Sequence, residues 1–128
     1  MDRVSQEWLN IDGQRYLVFQ FQGNLTDEVA KVAIEEWTQH FQTKLPPGEK
    51  ANIVWNCLEM KKYSAGAALS WKSTLPKFSS QIEDIWLITT NPFFKMGAKT
   101  VTMLTRFKLN LASSHEQFIQ EAQSLAIS

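Results

Sequence analysis

Two hydrophobic periods take turns along this chain. Leu17, Phe19 and Phe21 fall on one side of an extended segment, and Val18 and Gln20 on the other, a period of two that predicts a strand. A preceding strand runs through Trp8-Leu9 to Ile11, and the Asp12-Gly13 turn joins it to Tyr16–Phe21, with Gly23 and Asn24 predicted to end the second strand. The period then changes. Val29, Ala33, Trp37 and Phe41 recur at helical spacing down to Leu45, after Thr26 as cap and with Asp27 and Glu28 placed to complement the helix dipole. Pro46-Pro47-Gly48 stops that helix.

Asn52 to Cys57 is a short, mostly apolar run that predicts a strand buried on both faces, as in a parallel sheet. A basic loop, Lys61-Lys62-Tyr63, is expected to follow. Ser64-Ala65-Gly66-Ala67-Ala68 then opens a helix that ends near Thr74, before Pro76. Asp84 to Thr89 predicts another buried strand, and Asn91-Pro92 a helix start. That helix is expected to carry Phe94, Ala98 and Val101 and to continue through Met103 to Phe107. A short strand at Lys108 to Ala112 and a last helix complete the pattern, with Ser113 or Ser114 as cap and Phe118, Ala122 and Leu125 on one face. The order β-β-α-β-α-β-α-β-α predicts an α/β sandwich, with a mainly parallel, mixed sheet of about five strands flanked by helices. Sites in such folds lie beyond the carboxyl ends of the strands, which directs attention to the helix starts near Ser64 and Asn91.

Length and composition narrow the class. At 128 residues, 44% hydrophobic and with five tryptophans, the chain is expected to be one folded domain over residues 1–128. No apolar run reaches the roughly 20 residues of a membrane span, the opening MDRVSQEW is not an apolar signal segment, and Cys57 has no partner for an internal disulfide. A cytoplasmic protein with Cys57 as a small buried hydrophobe is the expectation. The net charge is zero but unevenly distributed. Residues 1–59 carry nine acidic and five basic side chains, whereas residues 60–110 carry eight basic ones against Glu83 and Asp84 alone. Such asymmetry belongs to a partner surface or to a solvated face.

Catalytic chemistry finds little support in the residues. His40 and His115 sit on helices without metal-like spacing to other ligands, so no metal and no cofactor is expected. Asp27-Glu28 and Glu35-Glu36 are adjacent pairs that split across a helix surface. The five glycines are isolated, which excludes a glycine-rich phosphate loop. A pI near 6.7 argues against nucleic acid, although Tyr63, Trp71, Phe78, Phe93 and Phe94 are interleaved with lysines. The expectation is a protein that is not an enzyme.

The element order, the opening YLVFQFQGNLTDE and the middle NIVWNCLEMKKYSAGAAL resemble the SpoIIAA-like branch of the STAS and SEC14 fold group, from about Arg15 to Ala122. The resemblance implies a regulatory, protein-interaction role like that of anti-sigma-factor antagonists. Those proteins carry an Asp-Ser-Ser-Gly type motif where this chain has Tyr63-Ser64-Ala65-Gly66, so the usual phosphoacceptor serine is replaced by Ala65, or by Gly66 in a shifted register. The edge expected to receive a protein partner, through an acidic segment, comprises Lys61, Lys62, Tyr63, Ser64, Ala65, Gly66, Asn91 and Lys95. The structural reading of Ser64 is a helix cap. The SEC14 side of the resemblance implies instead a small apolar or amphipathic, lipid-like ligand. Phe93, Phe94, Met96, Met103, Leu104 and Phe107 are the candidate lining; the same apolar excess, with zero net charge, predicts self-association, most simply a two-fold homodimer, with ordinary core as the alternative.

Overall fold

The computed structural model describes residues 1–103 and 105–126. Strand β1 (Arg3–Ile11) turns through Asp12 and Gly13 into β2 (Gln14–Leu25). Both turn residues have positive φ, 50° and 86°, the conformation that lets a two-residue hairpin follow the twist of its strands. β2 does not stop at Gly23 as expected. It runs two residues further, where the Asn24 N–H donates to the Asp2 carboxylate at 3.0 Å.

Helix α1 (Asp27–Lys44) begins where the Thr26 hydroxyl accepts from the Val29 N–H at 3.2 Å. Its buried stripe is Ala30, Ala33, Trp37 and Phe41, with Val29 half-buried beside it. Polar ties fix this helix to the first two strands. The Gln6 amide donates to the Ala33 carbonyl at 2.7 Å, the Trp8 indole to His40 Nδ1 at 3.1 Å, and Arg15 to the Lys44 carbonyl at 2.6 Å. His40 is thereby a structural acceptor.

Strand β3 (Ala51–Tyr63) is about twice as long as its apolar run, so Lys61-Lys62-Tyr63 is strand and not loop. Its outer half pairs only with β2, and two register shifts, between Gln20 and Gln22 and between Gly23 and Asn24, bend that ribbon. Helix α2 (Ala65–Thr74) passes through a 3-10 segment, Leu75–Gln81, into β4 (Ile82–Ile88), which starts two residues earlier than expected. Helix α3 (Pro92–Thr102) ends sooner than expected, so Met103 and Phe107 are not helical. The Thr105 N–H and hydroxyl both donate to the Thr102 carbonyl, and this turn delivers the chain to β5 (Leu109–Ala112). Helix α4 (His115–Ala126) starts at Ser114, whose hydroxyl accepts from the Gln117 N–H at 3.1 Å. Phe118 and Ala122 are buried, whereas Leu125, one turn further along the same face, is 56% exposed.

The sheet order is β1-β2-β3-β4-β5, antiparallel for the first pair and parallel thereafter. Crossovers of one hand between strands that advance in one direction deliver every connecting helix to the same face. That face holds α1, α2 and α3 over Leu17, Phe19, Ile53, Trp55, Ile85 and Leu87. Its centre is aromatic: Trp37 stacks on Trp71 with centroids 5.8 Å apart, and Phe19 meets both rings edge-on. On the second face α4 covers Val54, Trp86 and Ile88, with Phe118 wedged between Tyr16 and Trp86.

Ile53 lies on the central strand with no accessible surface. Ile53→Ala is expected to cost about 2–5 kcal/mol, the range for large-to-small core changes, read as a lowered denaturation midpoint at unchanged m-value.

Candidate functional site

The long β2–β3 ribbon carries the starts of α1 and α2 to the same place. Ser64 caps α2: its hydroxyl accepts from the Ala67 N–H at 3.0 Å and donates to the carboxylate of Asp27, in the first turn of α1. Gly66 makes that approach possible, because a Cβ there would strike the Asp27 carboxylate. Around the pair lies an open groove of about 620 Å³, lined by Asn24, Thr26, Asp27, Glu28, Lys62 and Ser64 together with Leu25 and Tyr63.

The predicted edge is therefore only partly assembled. Lys62, Tyr63 and Ser64 line the groove, and Ala65 and Gly66 open the helix beside it. Lys61 lies in a separate depression with Asp2, Arg3, Gln22 and Glu59. Asn91 is occupied as the cap of α3, accepting from the N–H groups of Phe93 and Phe94 at 2.8 and 3.4 Å. Lys95 stands in the first turn of α3, half-buried. What sequence reasoning missed is the acidic half: Asp27 and Glu28 read as dipole-complementing residues, and no local signal placed them against a serine 37 positions away. The groove carries both signs of charge.

Between α2 and α3 the apolar space is small. A cavity of about 70 Å³ lies among Phe21, Trp55, Cys57, Tyr63, Trp71 and Phe94. Ligand pockets run to about 300–1,000 Å³, so this one is too small for a lipid. The Tyr63 ring packs against Phe94 at 6.0 Å, and its hydroxyl abuts Gly97, where a Cβ would not fit. Of the six residues expected to line a ligand or dimer surface, Phe94 and Phe107 are buried, and Phe93, Met96 and Met103 are exposed. Leu104 lies outside the described residues. Burial in this apolar layer pushes the Cys57 thiol up to about 12, the reverse of an activated nucleophile. Among the described residues no group of three His, Cys, Asp or Glu side chains could hold a metal ion.

With 11% sequence identity, an uncharacterised protein of the DUF3478 family with a SpoIIAA-like fold, from Shewanella loihica PV-4, superposes with a TM-score of 0.74 over 96% of this chain and 95% of that one. The fold is SpoIIAA-like. The anti-sigma factor antagonist SpoIIAA in its unphosphorylated form is also similar, at 12% identity, a TM-score of 0.58 and 98% coverage of both chains. No family model matches the sequence, and no curated protein does. The fold resemblance seen in the GNLT helix entry and the small-residue start of α2 is thus borne out across nearly the whole chain.

Two measurements follow from this geometry. Ser64→Ala removes the cap and the partner of Asp27, and thermal or chemical denaturation is expected to register a loss of about 1 kcal/mol. Cys57, with a thiol near 12, is essentially all protonated at pH 8. A disulfide reagent is expected to label it slowly in the native protein and completely in denaturant; rapid native labelling would contradict its burial.

Proposed function

We propose that this protein is a non-catalytic regulatory module that receives a segment of a partner protein in the groove between the starts of α1 and α2. The Ser64–Asp27 pair carries this reading. It fixes one hydroxyl and one carboxylate at the mouth of two helix starts, in an open groove and beside Lys62, which forms no ion pair among the described residues. A similar fold in an anti-sigma factor antagonist supports a regulatory role. Leu25 and Tyr63 supply the apolar part of the groove, and Gly66 permits the close approach of Asp27 to the start of α2.

The charge of the groove bears on the partner. Asp27 and Glu28 oppose an acidic segment, so the segment that fits carries a basic residue toward these carboxylates and an acidic one toward Lys62. A small-molecule reading draws on the 70 Å³ cavity beside Tyr63, which is below the size of a ligand pocket.

Site-specific photo-crosslinking in cells tests the proposal. A crosslinker at position 62 is expected to trap a protein that one at Glu116, exposed on α4 across the sheet, does not. With that protein purified, the paired reversal Glu28→Lys and Lys62→Glu is expected to weaken binding about tenfold or more at low salt, with the circular dichroism unchanged. Equal trapping from position 116, or unaltered affinity, would place the contact elsewhere.

A further inference from the structure

We propose that the outer face of α2 and α3 docks onto an anionic lipid bilayer, independently of the groove at Ser64. Helix α3 has two apolar stripes, and the core uses only one. Phe94, Ala98 and Thr102 turn inward and are buried, while Phe93 and Met96, together with Met103 just past the helix end, are 74%, 65% and 68% exposed. On the neighbouring helix Leu69 is 64% exposed. These side chains protrude on the solvent side of two adjacent helices. Side chains so placed can enter a soft apolar layer.

The charges identify that layer. Lys95 and Lys99 flank the stripe on α3, Lys72 stands on α2, and Lys77 follows in the 3-10 segment. None of these three segments contains an Asp or Glu, and among the described residues none of these lysines is in an ion pair. The adjacent α1, by contrast, presents Glu28, Glu35 and Glu36. A second copy seated by two-fold symmetry would bring this lysine-bearing face, whose three segments contain no Asp or Glu, against the same face, so a homodimer through it is disfavoured. A surface negative at its rim and apolar just beneath it complements both features. Lysine stems can lie along the apolar stripe with their ammonium groups at the headgroup level, while Phe93, Met96 and Met103 enter the acyl boundary.

Co-sedimentation of the whole chain with phosphatidylcholine vesicles, with and without about one-third phosphatidylserine, tests this. Binding is expected only to the anionic vesicles. It should fall about tenfold or more when salt rises from about 0.01 M to about 1 M, where the screening length drops to about 3 Å. Phe93→Ser/Met96→Ser/Met103→Ser and, separately, Lys95→Glu/Lys99→Glu are each expected to reduce partitioning about tenfold or more, with unfolding midpoints near that of the parent because the positions are exposed or peripheral. Failure to bind anionic vesicles, or full binding by both variants, would overturn the proposal. Soluble polyglutamate binding as tightly to the triple serine variant as to the parent would reassign the face to an acidic protein. Light scattering showing a dimer that the triple serine variant splits would reassign it to a second copy.

Discussion

The constraint on which the structure rests is that the inner half of β3 and the last four residues of β4 are dry on both sides. Ile53 and Trp55 point into one layer and Val54 into the other, and on the next strand Ile85 and Leu87 oppose Trp86 and Ile88, all at most 4% exposed. A strand of this kind is stable only between two covering layers. Three helices from the crossovers supply one layer, because the strand order and the hand of the connections leave them no choice of side. The other layer has a single supplier, α4, and its Phe118 does most of the covering.

The same demand explains the close approach of α1 to α2. Trp37 and Trp71 can stack over Phe19 only if the two helices descend to the sheet together, and the small residues at the start of α2 permit it. Ala67 is buried, and Gly66 lets the Asp27 carboxylate come against the helix backbone. The core and the candidate groove are therefore one arrangement. The packing that brings the indoles into contact also brings Asp27 to Ser64.

Sequence patterns carried the architecture well wherever one face of an element was consistently wet or dry. The Asp12-Gly13 hairpin, the α1 stripe, the caps at Thr26, Ser64 and Asn91, and the two buried strands could all be read directly. Failures came where the period was broken. The outer half of β3 keeps only Cys57, Met60 and Tyr63 against the helical layer, and its register shifts erase the alternation that would have marked it as strand. Met103 and Phe107 are apolar but not helical, since a turn built on Thr102 and Thr105 follows α3 and Phe107 joins the core after it. Within the candidate site, Ser64 and Lys62 stood out because they are local to a helix start. Asp27 did not, since its role depends on a contact across 37 positions that only the tertiary fold creates. Lys61 and Lys62 looked equivalent, and a strand's alternation sends neighbours to opposite sides.

A sheet whose spatial order repeats its chain order can be assembled in the direction of synthesis. Each parallel strand needs only the one completed just before it: Asn52 finds Tyr16, Ile82 finds Ala51, and Leu109 finds Ile85. No strand has to be inserted between two that are already paired, so the three-helix side can close progressively while the chain leaves the ribosome. The opposite side cannot. Val54, Trp86 and Ile88 stay open to water, or to a chaperone, until α4 emerges and lays Phe118 over them.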